Sequence, residues 1–220
     1  MTVKHRIGVD RTEGYEFVRD FVGQVAAAGC EVFIVHARNA WLQGISPKEN
    51  RELPPLRYDT VLRLKHDFPA LRFVLNGGIA GDAGIRDHLR QMDGVMVGRE
   101  AYHHPWSMAS WDISFLGASA PAEPLRREDI EGAMLRYMQQ LAAQGLPWSH
   151  ASRHMLGLWN GTPGARRWRQ VWSDHRLKEQ PPAQVARVAQ QARCHERHNH
   201  PALAAPWAIV ATMSTGASDG

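Results

Sequence analysis

Two tetrapeptides, Asn76-Gly77-Gly78-Ile79 and Val97-Gly98-Arg99-Glu100, carry residue types suited to holding a phosphate. Glycine lets backbone N–H groups come close to an anion, a following helix N-terminus presents unpaired N–H groups to it, and arginine adds a bidentate charge. Each tetrapeptide closes a short apolar run, Leu71 to Leu75 and Gly94 to Val97, too short for a helix and composed as a buried parallel strand. The two glycine ends lie about one βα unit apart, the layout of a phosphate-gripping barrel end. A pair of ordinary βα turns is the plain alternative, because glycine turns are common in α/β domains.

Two further stretches carry chemistry. Residues 36–56, HARNAWLQGISPKENRELPPL, place Arg38, Trp41, Lys48, Glu49, Asn50 and Arg51 on one long loop, far more than a βα connection requires, and long loops at this face of a barrel bind ligands. Residues 153–169, RHMLGLWNGTPGARRWR, interleave Arg153, Arg166, Arg167 and Arg169 with Trp159 and Trp168. Arginines grip nucleic-acid phosphates and aromatic rings stack or brace them. The competing account is a helical core, with Met155, Leu156, Leu158 and Trp159 inward and the arginines solvated. The cluster Cys194-His195-Glu196-Arg197-His198-Asn199-His200 invites a metal, but it lacks a paired CxxC partner, and no metal site is expected.

The elements that must position these residues follow from periodicity. Val3 to Ile7 reads as a strand, Tyr15 to Ala28 as a helix with an apolar stripe stopped by Gly29, Glu31 to His36 as a strand and Tyr58 to His66 as a helix. With the two glycine-ended units this makes four βα units and a parallel sheet. Gly117 to Pro124 is a small-residue and proline linker, after which Glu128 to Gln144 and the stretch from Ser149 read as helices. The predicted fold class is α/β: the C-terminal half of a (β/α)8 barrel over residues 1–115, then an all-helical domain over 125–190. A polar, Ala/Pro/Ser/Gly-rich tail over 191–220 is expected to be disordered. A closed barrel of this kind needs about 250 residues. A half barrel leaves two strand edges unpaired and one face uncovered, so a second chain or an N-terminal segment is expected to complete it.

Composition fits these expectations. Apolar residues make up 44% and charged residues 22%, no run approaches the length of a membrane span, and no targeting segment is visible at the start. Two cysteines do not make a disulfide framework, and a reducing cytoplasm is the expected home. The net charge of +4 and pI near 9.4 permit a polyanionic partner.

The sequence resembles the tRNA-dihydrouridine synthases, specifically the bacterial A type. The residues carrying the match are Val3 to Gly8, the loop from His36 to Leu56, Asn76 to Ile79, Asp93 to Tyr102, Arg153 to Leu158 and Gly161 to Arg169. The resemblance runs from residue 2 to about residue 175. It implies FMN-dependent reduction of the uracil C5=C6 bond in the D-loop of tRNA, with NADPH as reductant. Carried over residue by residue, Lys4 lies beside the flavin ring, His36 is the next contact, Asn76, Gly77 and Gly78 line the phosphate end, and Gly98 with Arg99 complete that pocket. Arg6 is implied to bond the target uracil, and Lys48 and Arg51 to touch tRNA. The target base must leave its stack, so a grip on surrounding RNA is needed, and Arg153, Arg166, Arg167 and Arg169 are implied to supply it.

One departure bears on activity. The family's proton donor is a cysteine in the first half of the barrel. Cys30 precedes a strand at its N-terminal end, on the wrong face, and Cys194 lies past the end of the resemblance. The chain alone is therefore expected neither to hold FMN tightly nor to form dihydrouridine. A second function class, a non-catalytic tRNA-binding remnant, uses the same arginines and loop. A third, another phosphate-binding barrel acting on small molecules, rests on the glycine ends alone.

Overall fold

The computed structural model describes residues 1–12 and 14–199. The chain divides into two compact units, Met1–Ala122 and Glu123–Gly220.

In the first unit the apolar runs form a four-stranded parallel sheet in sequential order. The strands are β1 (Thr2–Arg6), β2 (Val32–His36), β3 (Arg72–Asn76) and β4 (Gly94–Met96). They alternate with α1 (Tyr15–Ala27), α2 (Tyr58–Asp67), α3 (Gly81–Leu89) and the short α4 (Arg99–His103). A short helical turn, Pro105–Ser110, leads into α5 (Trp111–Phe115). The predicted strand and helix limits agree with these to within one or two residues.

The pleat gives the sheet two unlike faces, because side chains alternate along each strand. Phe33 and Val35 of β2 and Phe73 and Leu75 of β3 are buried against Val18 and Val22 of α1, Val61 and Leu64 of α2 and Ile85 of α3. Residues of the other set are half-buried or exposed: Lys4, Arg6, Ile34, His36, Val74, Asn76 and Met96. All three helices therefore cover one face. An unreversed strand order with helices on a single face is consistent with part of a barrel, whereas a doubly wound sheet reverses its order and is covered on both sides.

Register is set by the ladder Arg6↔His36↔Asn76↔Met96, which brings the four C-terminal strand ends level. At the opposite end, Cys30 is buried with its Sγ near the carbonyls of Val32 (3.5 Å) and Met1 (3.7 Å), far along β2 from this row. The start of β4 is tied to α2 and β3 by Asp93, which pairs with Lys65 at 2.6 Å and accepts from the Phe73 N–H at 2.8 Å.

The described elements of the second unit are helical: α6 (Arg127–Ala143), α7 (Ser149–Ser152), α8 (Ala165–Ser173) and α9 (Pro182–Asn199), with a helical turn at His175–Leu177. Its core is Met138, Met155, Leu158, Trp159, Trp168 and Trp172. Glu131 lies among them, 2% exposed, accepting from the indole N–H groups of Trp168 (2.8 Å) and Trp159 (3.2 Å). Burial raises the pKa of this carboxyl against the opposing pull of the two indoles. The Arg193 guanidinium covers the other side of Trp159 at 3.6 Å from the ring centre. The first part of the tail expected from residue 191 is helical as far as Asn199, where it continues α9. The rest lies outside the described residues.

Candidate functional site

A cavity of about 580 Å³ opens at the level C-terminal strand ends. Lys4 and Arg6 reach it from β1, His36 from β2 and Asn76 from β3. Gly77 and Gly78 form its floor, and Gly98 and Arg99 enter after β4. All seven residues assigned in sequence to an anionic cofactor line this one cavity, as do Arg6 and Arg51 from the RNA set. The bilayer of register and pleat explains the grouping: residues that end neighbouring parallel strands on the same pleat face must converge.

The glycine floor is a built feature. Gly77 has φ +118° and Gly78 φ +67°, a region that side chains disfavour. A Cβ on Gly77 would stand 2.7 Å from His36 Cδ2, and one on Gly78 would stand 2.8 Å from Leu56 Cδ1. The turn is anchored by the Tyr58 hydroxyl, which donates to the Gly77 carbonyl at 2.6 Å. Asn76 donates from Nδ2 to the Met96 carbonyl at 2.8 Å, locking the ends of β3 and β4. Ile79 and Ala80 carry the wall to the start of α3, whose first-turn N–H groups lack intrahelical partners.

The lining carries an excess of positive charge, with Lys4, Arg6, Arg51 and Arg99 against Glu52 and Glu100. Burial, then the charges of Arg6, Lys4, Arg38 and Arg99, push the His36 pKa down to about 4. A neutral imidazole held among cations leaves room for a negative ligand beside it. The glycine floor offers it close backbone approach, so the residues present fit a phosphate-bearing group such as FMN.

The long loop closes one side. Arg6 Nη1 donates to the carbonyls of Asn39 (2.7 Å) and Asn50 (2.9 Å) and to Asn50 Oδ1 (3.0 Å). This guanidinium is thus engaged with the loop through one nitrogen. Arg38 donates to the carbonyls of Glu52 (3.0 Å) and Pro54. Arg99 pairs with the Glu52 carboxylate at 2.6 Å and reaches the Arg51 carbonyl at 3.3 Å. Glu52 and Tyr58 were not singled out in the sequence. Nothing local marks them, since their partners lie 47 and 19 positions away. Lys48 is exposed on the loop and does not line the cavity.

In the second unit, Arg153, Arg166, Arg167 and Arg169 are exposed. Trp159 and Trp168, interleaved with them in sequence, are 3% and 0% exposed and serve as core. Of the two accounts open for these rings, their burial supports the helical core and excludes stacking on RNA: their polar edges are spent on Glu131. Leu156 is only half-buried, so the inward set is Met155, Leu158 and Trp159. Cys194 is exposed on α9, and no group of His, Cys, Asp and Glu able to hold a metal occurs among the described residues. No helix among them is long and apolar enough to cross a membrane.

Comparison with known proteins gives a consistent result. A family model described as dihydrouridine synthase (Dus) matches residues 1–194. A protein of Shewanella oneidensis named tRNA-dihydrouridine(20/20a) synthase is 46% identical over 192 residues, covering 87% of this chain and 57% of the relative. Proteins of the same name from Pseudomonas aeruginosa and Escherichia coli K12 are 51% identical over 173 residues and 49% over 180. These alignments cover 79% and 81% of this chain and 52% and 51% of the relatives. The chain spans about half the length of the curated relatives it matches.

Proposed function

The chain belongs to the dihydrouridine synthase family, and from that premise we propose that its cavity holds FMN for the reduction of a D-loop uridine of tRNA to 5,6-dihydrouridine, with NADPH as reductant. The observation that carries this reading is the convergence of Lys4, His36, Asn76, Gly77, Gly78, Gly98 and Arg99 on one positively charged cavity. The relatives' names give positions 20 and 20a, and we take the same adjacent pair as the target here. Bound flavin, once reduced, supplies the hydride that saturates C5=C6 of uracil.

The chain's own residues bind and orient. Gly77 and Gly78 let backbone reach the phosphate, Arg99 adds a fork of donors, and Lys4 contributes a positive charge on the same pleat face as His36. Asn76 keeps the β3 and β4 ends in register under the group. Arg6 holds the 39–50 loop against the cavity rim, from which Lys48 and Arg51 face RNA. Arg153, Arg166, Arg167 and Arg169 are exposed on the helical unit, and their charge is suited to tRNA backbone. The second carbon of the reduced bond needs a proton. Neither Cys30, at the far end of β2, nor Cys194, on α9, is assigned that task. The 220 residues by themselves are expected to give no dihydrouridine.

A flavin titration tests the reading. Quenching of FMN fluorescence that inorganic phosphate competes away, and that Arg99→Ala weakens, supports the cofactor site. No flavin binding at millimolar concentration overturns it. Salt-sensitive tRNA binding would then remain as the mark of a non-catalytic tRNA-binding protein. Turnover by the chain with NADPH, FMN and unmodified tRNA would overturn the assignment of no proton donor.

A further inference from the structure

Beside the first cavity lies a second, of about 330 Å³, which shares Arg6 and Arg51 with it. That volume is at the small end of ligand sites and suits a single planar group better than a cofactor. The rest of its lining is Trp41, Leu42, Ile45 and Pro47 together with the amide of Asn50. Leu42 is 67% exposed, so this apolar surface is open to solvent rather than folded into the core.

Trp41, half-buried on the loop, is held through its backbone. Asn50 clamps it at both backbone groups, Oδ1 accepting from the Trp41 N–H at 3.1 Å and Nδ2 donating to its carbonyl. The same Oδ1 accepts from Arg6, and the next residue is fixed by the Leu42 N–H donating to Asp10 Oδ1 at 2.8 Å. The tryptophan backbone is thus rigidly placed on an otherwise exposed loop. With the backbone fixed beforehand, only the side-chain torsions of the ring remain to be ordered when a ligand stacks on it. The tryptophans of the helical core are buried and unavailable for this.

We propose that the second cavity is a stacking site for the nucleobase next to the target uridine, with Trp41 as its platform and Arg51 serving the phosphate between the two nucleotides. The inference rests on the reading of the first cavity as the place where bound FMN meets the target uridine. Its chemistry is an aromatic ring with apolar neighbours for a base face, the Arg51 guanidinium for the backbone, and direct continuity with the first cavity through Arg6 and Arg51. A site for a neighbouring base that does not discriminate its edge also suits an enzyme acting on either of two adjacent uridines, because stacking is tolerant of base identity.

The test is a cycle of two deletions on the whole 220-residue chain. One probe is the 5′-phosphorylated trinucleotide UUU, and the other is the same trimer with abasic riboses flanking its central uridine, so charge is unchanged. We expect the native chain to bind the intact trimer about tenfold more tightly than the abasic one. Trp41→Ala should lower affinity for the intact trimer to the abasic level and leave abasic binding unchanged, while Trp41→Phe retains most of the difference. Equal binding of the two trimers to the native chain, or a full difference surviving in Trp41→Ala, overturns the stacking site and leaves the first cavity's reading intact. Failure of both trimers to bind overturns that reading together with this one.

Discussion

The Glu52 carboxylate meets the Arg99 guanidinium at 2.6 Å, on the rim of the cavity where Arg99 is assigned to a phosphate. An anion from the chain's own loop therefore already satisfies the arginine, and an incoming phosphate must displace it or share it. Both partners are nearly half exposed, at 46% and 44%, so the pair itself contributes about 0–1 kcal/mol. Glu52→Gln should consequently tighten FMN or phosphate binding by up to about fivefold. Isothermal titration of the two proteins at low salt measures it, and weaker binding by the variant would show that Glu52 supports the ligand instead of competing with it.

His36 titrates near 4 because it is buried among cations. Its folded-state pKa lies below the ordinary value of 6.5, so the unfolded chain binds the proton first. The stabilisation from keeping this imidazole neutral is complete above about pH 6.5 and fades as pH falls from there toward 4. A bound phosphate brings negative charge and should move the His36 pKa upward. NMR titration of the His36 ring, with and without inorganic phosphate, reads both effects, and a midpoint at or above 6.5 without phosphate would contradict the electrostatic account.

The turn under the cavity depends on geometry that a single methyl group breaks. Gly77→Ala places a side chain at φ +118° against His36 and should cost about 1–3 kcal/mol in urea unfolding, with loss of anion binding. Tyr58→Phe removes only the hydroxyl that donates to the Gly77 carbonyl, and about 0.5–1.5 kcal/mol is expected. A larger cost for the tyrosine than for the glycine would reverse the assigned hierarchy.

The course of the chain through these elements was largely legible. Strands, glycine ends and helical stripes are local patterns, and parallel register then carries the strand-end residues Arg6, His36 and Asn76 to one place. What the sequence concealed are pairings between distant positions. Glu52 reads as one more loop carboxylate until Arg99 is beside it, and Asn50 as a loop amide until Arg6 and Trp41 are seen to share it. The tryptophans near the arginines were ambiguous for a physical reason. A large ring with an N–H suits both RNA stacking and a core that supplies an acceptor, and only the location of Glu131, 28 and 37 positions away, decides between them.

Glu131 is the polar centre of the helical unit's core, and the two indoles donate to different oxygens of its carboxylate, of which an amide keeps only one. Glu131→Gln keeps one acceptor oxygen and leaves one buried N–H without a partner, for an expected loss of about 1–3 kcal/mol. Tryptophan fluorescence during urea unfolding measures the change. An unchanged midpoint would mean that the unit does not depend on this contact.

The arginine face yields the sharpest statement about RNA. If Arg153, Arg166 and Arg169 each neutralise a phosphate, removing one should flatten the dependence of tRNA affinity on salt by about 0.7–0.9 in log–log slope, and removing two by about twice that. Arg169 also donates to Asn160 at 2.9 Å, so its loss mixes a structural with an ionic effect, whereas Arg166 is the cleaner probe. The expected pattern for Arg166→Ala is weaker tRNA binding at low salt, a shallower slope, and unchanged unfolding of the helical unit. A parallel shift of the whole salt curve with the slope intact would place the arginine outside the RNA contact, and the solvated-face account of residues 153–169 would then stand.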